Sequence, residues 1–412
     1  MITDSTKTSR NTYMIVIVAA LGYFVDIYDL ILFGVVRKAS LTELGLNADQ
    51  IKTIGEQLLN WQMAGMLLGG IFWGILGDKK GRLSVLFGSI LTYSIANIAN
   101  GFVETIPMYA VLRFLAGVGL AGELGAGITL VSETMHKDKR GYGTMIVATV
   151  GVFGAVAAGL SGEFVNNWRH SYFIGGAMGI ALLLLRIGIY ESGMYAQVAN
   201  SGVSKGNFFS LFSSRKTAYK YFSLIATGLP IWFVIGILVT FSPETAKAMG
   251  MVEVPKAGIA VTFAFAGLTV GDLLSGLISQ MIKSRKKTIL LFLTLTFLCV
   301  CSYFLFGKQS LTVFYSITFC LGLCTGYWAV FMSTASELFG TNIRSTVTTT
   351  APNFVRGSLI LTTLLIGWCK SLLDFSPLNA ILMVGALLFA TAFICLRNIE
   401  ETFGKDLDFV EE

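Results

Sequence analysis

The stretch that decides the fold of this 412-residue chain is residues 63–103, which reads MAGMLLGGIFWGILGDKKGRLSVLFGSILTYSIANIANGFV. Two apolar runs, Met63–Leu76 and Val85–Val103, flank the polar hexapeptide GDKKGR at residues 77–82. Each run approaches the roughly 20 residues that a helix needs to cross a bilayer core. The glycines of the hexapeptide permit a tight turn. The stretch therefore predicts two transmembrane helices joined by a short charged loop.

The composition extends this prediction to the whole chain. It is 54% hydrophobic and 13% charged, whereas soluble domains contain about a quarter charged residues. Further long apolar runs include Met14–Val36 and Thr288–Phe306. They lack the period-two alternation of a membrane β-barrel. These features exclude a water-soluble globular protein and predict an all-α integral membrane protein.

Twelve spans are predicted in two sets of six. They lie near residues 13–36, 55–76, 83–103, 107–135, 143–165 and 172–190, and near residues 221–244, 256–281, 288–306, 310–337, 345–369 and 377–397. The polar residues 191–220 form the one stretch long enough to separate two halves. We therefore predict an N-terminal bundle over residues 1–190, a cytoplasmic linker over 191–220, and a C-terminal bundle with a short cytoplasmic tail over 221–412.

Basic residues indicate the orientation, because cytoplasmic loops collect Lys and Arg. With the N-terminus inside, the predicted inner segments hold nineteen Lys and Arg residues and the outer segments hold eight. The outer eight are Arg37, Lys38, Lys52, Arg169, Lys247, Lys256, Lys308 and Lys370. The asymmetry predicts that both termini are cytoplasmic. We expect the protein to lie in the plasma membrane, which in a bacterium is the inner membrane. The net charge of +6 follows from this topology, and no base-reading face predicts a nucleic-acid partner.

Cysteine and histidine residues provide no evidence for a metal, a cofactor or catalysis. All six cysteines lie in apolar runs of the second half, where neither a disulfide nor a zinc cluster is expected. The two histidines, His136 and His170, fall in loops at opposite membrane faces. We therefore expect no metal, no cofactor and no enzymatic activity.

The two halves repeat one another. Ser132-Glu133 ends span four and is followed by Arg140, while Ser336-Glu337 ends span ten and is followed by Arg344. Each pair is offset by 204 residues. The loop at residues 77–82 has a weaker counterpart at residues 283–287. Duplicated bundles around a central site are typical of secondary transporters.

The hexapeptide at residues 77–82 resembles the loop signature of the major facilitator superfamily, and the twelve-span layout extends the resemblance over the whole chain. The resemblance implies two pseudo-symmetric six-helix bundles and a loop that latches one of two alternating states. The gating residues that it implies, together with those of the repeat, are Gly77, Asp78, Gly81, Arg82, Glu133, Arg140, Glu337 and Arg344.

Shorter patterns resemble particular branches of that superfamily. Residues 26–29 resemble the first-span motif of aromatic-acid:proton symporters, although Ile27 stands where glycine is usual. Residues 113–123 resemble the fourth span of metabolite:proton symporters and organic-ion transporters. Arg344, Pro352, Asn353 and Arg356-Gly357 resemble the eleventh span of organic-anion carriers, and residues 401–405 the tail of sugar and organic-ion porters. Span seven lacks the glutamine pair of sugar porters, which argues against a hexose.

Charges inside spans predict the proton-coupling residues, because a charge in the bilayer costs several kcal/mol unless it is paired or hydrated. At a rise of about 1.5 Å per residue, Asp29 lies about 11 Å below the outer end of the first span. Arg113 lies about 9 Å below the outer end of the fourth span. Equal depth permits an ion pair, and loss of the partner would favour proton uptake by the aspartate. Asp26, one turn deeper, and Glu123 in span four are further candidates. The alternatives are a static Asp29–Arg113 pair and an internal pair or gate at Glu123.

Arg356 is the predicted substrate anchor, since its guanidinium suits a carboxylate and Asn353 lies one turn away. Its alternative role is to be neutralised by Asp26 or by helix carbonyls. Of the aromatic residues in spans, we select Tyr28, Trp232 and Tyr327 as substrate contacts.

Together these features predict a monomeric, proton-coupled symporter of a small organic acid or related metabolite, working by alternating access. The alternative within transport is an exporter of an amphipathic or siderophore-like compound. A non-transporting sensor or a membrane enzyme is a further alternative. The expected partners are a small, anionic substrate, protons and the lipid bilayer.

Overall fold

The computed structural model describes residues 2–136, 138–165, 167–186 and 208–411. Throughout these ranges the regular structure is helical, without a β-strand. Eleven helices are long and apolar enough to cross a membrane in the part of the chain that the structure describes. The all-α membrane fold predicted from the apolar runs is confirmed.

In its described residues, up to residue 186, the N-terminal half contains seven α-helices. They are α1 (Ile2–Glu43), α2 (Ala48–Lys80), α3 (Arg82–Asn100), α4 (Ile106–Leu120), α5 (Glu123–Thr134), α6 (Arg140–Phe164) and α7 (Trp168–Leu185). Helix α7 is the predicted sixth span, and its predicted continuation to residue 190 lies outside the described residues. So does the predicted linker from 191 to 207.

Over the described residues 208–411, the C-terminal half contains eight α-helices. They are α8 (Arg215–Phe233), α9 (Ser242–Ala248), α10 (Ala257–Ile282), α11 (Arg285–Phe306), α12 (Leu311–Thr325), α13 (Trp328–Leu338), α14 (Arg344–Leu372) and α15 (Pro377–Asn398). Two 3₁₀ turns, Phe208–Phe212 and Gly307–Gln309, precede α8 and follow α11. A π-helix, Val234–Val239, continues α8 and supplies the outer part of predicted span seven.

Helix ends follow local chemistry. Asn47 and Gln50 form a capping box at the start of α2, each side chain bonding the other's backbone N–H. Ser284, Ser310 and Ser376 cap α11, α12 and α15 in the same position. Gly81 joins α2 to α3 with φ of +96°, a left-handed value that glycine adopts without the steric cost of a side chain.

Two predicted spans are broken. The sequence predicted continuous helices over 107–135 and 310–337. In the structure each helix is interrupted, between α4 and α5 and again between α12 and α13. The breaks contain Gly122 and Gly326, which are 204 residues apart. Helices α6 and α14 begin at Arg140 and Arg344, at the same offset. The repeat seen in sequence is therefore a repeat of helix boundaries.

The halves meet along α2 and α14 on one side and along α6 and α10 on the other. A Cβ atom at Gly74 would lie 2.9 Å from the Cα atom of Thr346, so the first contact requires a residue without a side chain. Ser132 Oγ donates to Ser336 Oγ at 3.2 Å. Because these serines are repeat equivalents, their contact lies on the pseudo-twofold axis between the halves.

Candidate transport site and gates

A small cavity lies between the two halves near the middle of the molecule. Its volume is about 20 Å³, room for about one water molecule. The lining residues are Tyr23, Ile27 and Val152 from the N-terminal half, and Ile231, Trp232, Ile235, Phe265, Leu268, Trp328 and Arg356 from the C-terminal half. The cavity is therefore apolar and aromatic, with one cation.

Arg356 is the polar centre of this cavity and is 1% exposed. Its Nη2 donates to Tyr23 Oη at 3.2 Å and its Nη1 to Asn353 Oδ1 at 3.5 Å. Its Nη1 also lies 4.0 Å from Asp26 Oδ2. The Trp328 ring lies under the guanidinium, 5.6 Å from Cζ, and Trp328 Nε1 donates to Tyr23 Oη at 2.9 Å. The structure thus joins Arg356 both to its predicted neighbour Asn353 and to its alternative partner Asp26.

Of the three aromatic residues selected from sequence, Trp232 lines the cavity. Tyr28 does not: its hydroxyl donates to Ser171 O at 3.0 Å, inside the N-terminal half. Tyr327 does not either, because its hydroxyl donates to Thr227 O at 2.8 Å, inside the C-terminal half. The cavity is lined instead by Tyr23 and Trp328, which were not predicted as substrate contacts. Tyr23 lies one helical turn before Asp26, so a count of positions on the Asp26 face would have found it.

Asp26 and Asp29 of α1 are fully buried, and none of their carboxylate oxygens accepts a hydrogen bond of ordinary geometry. Asp26 faces the seam and Arg356. Asp29 faces the interior of the N-terminal half, directly against Gly175 of α7. A Cβ atom at position 175 would overlap the carboxylate, so a larger residue there would displace the Asp29 side chain.

Arg113 and Asp29 are both buried in the N-terminal half, but the two form no ion pair in this conformation. Arg113 Nη2 donates to Asn97 Oδ1 at 3.1 Å and Arg113 Nη1 to Gln62 Oε1 at 3.4 Å. The Tyr172 ring lies 5.1 Å from Cζ. The predicted pairing thus requires a rearrangement of the arginine.

Glu123 is held in an internal pair. Arg186 donates to both of its carboxylate oxygens and to Leu86 O, the last at 3.0 Å. Both residues are 1% exposed. This arrangement matches the internal-pair alternative for Glu123.

The side predicted to face the cytoplasm is closed by two carboxylates related by the repeat. Glu133 accepts from Arg82 at 2.8 Å and from Arg344 at 3.1 Å. Glu337 accepts from Arg140 at 2.9 Å and from Arg285 at 3.1 Å. Each glutamate thus binds one arginine of its own half and one of the other half.

Arg285 was not among the predicted gating residues. It lies in residues 283–287, the weakened repeat of the 77–82 loop, and this correspondence is the signal that would have found it.

Asp78 closes the same side through the backbone of α14. Its carboxylate accepts from the N–H groups of Ser345 and Thr346 at 3.1 and 2.8 Å, and from Thr346 Oγ1 at 2.7 Å. These donors belong to the first turn of α14, where the helix dipole favours a negative charge. Arg82 supports the loop from within, since its Nη1 donates to Gly77 O at 2.8 Å and lies 3.4 Å from Asp78.

A profile described as Major Facilitator Superfamily matches residues 19–357. The chain belongs to the major facilitator superfamily. The resemblance carried by residues 77–82 is confirmed, and with it the prediction of an integral membrane transporter rather than an enzyme.

Relatives of this superfamily member include the putative niacin/nicotinamide transporter NiaP of Bacillus subtilis, 25% identical over 93% of this chain and 95% of that protein. The benzoate transport protein of Acinetobacter baylyi is 29% identical over 46% of this chain and 41% of that protein. Among solved structures, the proton:xylose symporter XylE shares the fold with a TM-score of 0.78 at 13% identity, over 97% of this chain and 98% of that one.

In this superfamily member the C-terminal tail also crosses the closed side. Glu401 accepts from Ser284 Oγ and from the Arg285 N–H, and although burial opposes ionisation, these bonds hold the pKa of Glu401 below its ordinary value. Arg140 donates to Lys405 O at 2.6 Å and Arg344 to Leu407 O at 2.7 Å. The tail therefore takes part in closing this side.

Proposed function

We propose that this transporter is a proton-coupled symporter of a small aromatic carboxylate. The observation that carries the proposal is Arg356, a buried cation in a central cavity whose lining also includes Tyr23, Trp232 and Trp328. A guanidinium binds a carboxylate through two parallel hydrogen bonds. Aromatic side chains pack favourably against a flat ring.

The relatives support this substrate class. NiaP is named for niacin and nicotinamide, and the Acinetobacter protein for benzoate. Niacin and benzoate each combine one carboxylate with one six-membered aromatic ring. Such a molecule supplies an anion for Arg356 and a face for the tryptophans.

The position of Asp26 supports coupling to protons. It is the carboxylate nearest to Arg356, at 4.0 Å, and accepts no hydrogen bond. A substrate carboxylate that binds Arg356 displaces Asp26 as its counter-ion, and an unpaired buried carboxylate is costly. Uptake of one proton by Asp26 restores the balance of buried charge. Asp29 and Arg113 offer a second place for the same exchange, within the N-terminal half.

The closed gate supports alternating access. Six buried residues, Arg82, Glu133, Arg140, Arg285, Glu337 and Arg344, seal one side. On the proposed topology, with bundles 1–190 and 221–412 and both termini in the cytoplasm of a bacterial cell, the sealed side is cytoplasmic. As the halves rock, the central cavity opens to each side of the membrane in turn. We expect the protein to work as a monomer.

The test measures binding of radiolabelled benzoate and nicotinate to purified protein. A charge-assisted hydrogen bond contributes about 1.5–3 kcal/mol, so Arg356→Ala should weaken binding about ten- to a hundredfold. Arg356→Lys should recover part of the loss. The matched control is Arg169→Ala, which removes a half-exposed ion pair with Glu43 and should leave binding unchanged.

Two results would overturn the proposal. One is wild-type affinity in Arg356→Ala with an unchanged melting temperature. The other is binding of neutral or cationic compounds only. Uptake into right-side-out vesicles, driven by an inward proton gradient, separates import from export.

A further inference from the structure

A second and larger cavity opens on the predicted outer side of the seam. Its volume is about 730 Å³, within the usual range of small-molecule sites, about 300–1,000 Å³. The N-terminal half contributes the start of α2, and the C-terminal half contributes the π-helix, α9, α14 and α15. Its charged lining residues are Lys52, Glu56, Glu244, Lys247 and Lys370. We call this cavity the outer vestibule.

The outer vestibule lies above the central cavity along two shared elements. The π-helix lines the central cavity with Ile235 and the outer vestibule with Ile237. Helix α14 lines the central cavity with Arg356 and the outer vestibule from Thr363 outward. Seven residues of helix separate the last two positions, a rise of about 10 Å. A substrate that enters from outside passes through the outer vestibule first.

The charge of the outer vestibule is positive against the trend of that membrane side. Outer segments are depleted in basic residues, yet Lys52, Lys247 and Lys370 gather at this mouth, and Arg37 reaches it through its contact with Glu244. These are four of the eight predicted outer basic residues. Glu56 and Glu244 cancel two of the four charges, which leaves a net charge of two. The mouth therefore attracts anions.

Among the residues that the structure describes, one ion pair joins the halves beneath this mouth, and it is loose. Arg37 Nη2 lies 3.8 Å from Glu244 Oε1, beyond hydrogen-bond distance. The guanidinium also lies over the Phe241 ring, 5.2 Å from its centre. Glu244 Oε2 is buried without a hydrogen bond. On the opposite side, the two gating contacts that join the halves, Arg344–Glu133 and Arg140–Glu337, are 3.1 and 2.9 Å long, so the outer ion pair is the looser contact.

We propose that the outer vestibule is a second binding site for organic carboxylates, at which the ligand replaces Glu244 as the partner of Arg37. The three lysines hold the anion at the mouth. Transfer of Arg37 from Glu244 to the ligand releases the contact between α1 and the C-terminal half and admits the ligand to the central cavity. This inference rests on the proposed function, since it requires an anionic substrate.

The experiment measures uptake of radiolabelled benzoate by proteoliposomes as a function of concentration and salt. The triple variant K52Q/K247Q/K370Q should raise KM about tenfold, the low end of electrostatic steering, and flatten its salt dependence, with maximal velocity unchanged. The matched control K38Q/K256Q/K308Q removes three outer lysines that do not line the outer vestibule. It should keep the wild-type KM.

Two single variants test the exchange itself. R37Q should raise KM because the ligand loses its partner, whereas E244Q should lower KM because the ligand loses its competitor. A merely structural ion pair would give changes of the same sign in both variants. Melting temperatures of the purified variants identify any that fold poorly.

The outcomes separate this inference from the function on which it rests. If the wild-type protein takes up benzoate and nicotinate but the triple variant keeps the wild-type KM, the outer vestibule site is wrong and the proposed function stands. Shifts of the same sign in R37Q and E244Q overturn the exchange. If the wild-type protein takes up neither carboxylate, both proposals fail.

Discussion

Glu133→Gln should open the side of the transporter that this structure shows closed. Glu133 is buried and accepts hydrogen bonds from Arg82 at 2.8 Å and from Arg344 at 3.1 Å. Glutamine keeps the shape and one acceptor oxygen but removes the charge. The closed state then contains two buried arginines that have lost their shared counter-ion, whereas the open state can hydrate them.

The size of the effect follows from these two bonds. A charge-assisted hydrogen bond contributes about 1.5–3 kcal/mol and a neutral one about 0.5–1.5 kcal/mol. The substitution therefore removes about 1–1.5 kcal/mol per bond, or about 2–3 kcal/mol in all. Since 1.4 kcal/mol corresponds to a factor of ten, the ratio of open to closed molecules should rise by about 30- to 140-fold.

The assay uses a cysteine in place of Ser132, whose side chain lies in the closed seam against Ser336. The six native cysteines are first replaced by serine. Inside-out vesicles are treated with a membrane-impermeant maleimide, and the rate of labelling reports the fraction of molecules open to the cytoplasm. Glu133→Gln should accelerate labelling by about the factor given above.

The control is Glu43→Gln, which weakens a Glu–Arg pair of similar length, 3.1 Å, whose glutamate side chain is 51% exposed. Exposed pairs contribute about 0–1 kcal/mol, so labelling should stay at the wild-type rate. The gate assignment is refuted if Glu133→Gln labels no faster than wild type. It is also refuted if Glu43→Gln accelerates labelling equally.

Three further predictions concern coupling, topology and the outer seam. Asp29→Asn should abolish proton-driven accumulation of benzoate in proteoliposomes and leave counterflow exchange measurable, because the amide imitates the protonated acid; undiminished accumulation would remove Asp29 from the coupling role. Cysteines at Lys283 and Asn167, both exposed, should be labelled from the cytoplasmic and the outer side respectively, and labelling of the second from the cytoplasm alone would reverse the topology. A cysteine pair at Gly159 and Thr262 should form a disulfide and block benzoate uptake until it is reduced, because a Cβ at position 159 lies 3.6 Å from Thr262 Cβ, within bonding geometry; uptake by the fully oxidised protein would show that the outer seam need not open there.

The amino-acid sequence determined the membrane architecture of this protein. In a bilayer every backbone polar group must find its partner within the segment, so a long apolar run has to become a helix. The repeat at an offset of 204 residues predicted that Glu133 and Glu337 are equivalent, and both occupy equivalent gate positions in the structure. Residues 77–82 predicted the family, which the family comparison confirmed.

The depth of a residue along its helix could also be counted from the sequence, because each residue adds about 1.5 Å. Counting from residue 345, the predicted inner end of its span, puts Arg356 about 17 Å along the helix, and in the structure Arg356 lines the central cavity. Counting also brought Asp29 level with Arg113. Depth alone, however, does not tell which neighbouring helix a side chain faces.

Only the tertiary structure decided the partners. Tyr28 and Tyr327 were predicted as substrate contacts, but their hydroxyl groups bind within their own halves. Glu123 binds Arg186 from a distant part of the chain. An Asp26 carboxylate oxygen lies 4.0 Å from Arg356. The rotation of a helix about its axis depends on how its surface packs against the neighbouring helices. An apolar run is apolar on all sides, so its sequence does not indicate which face packs against which neighbour.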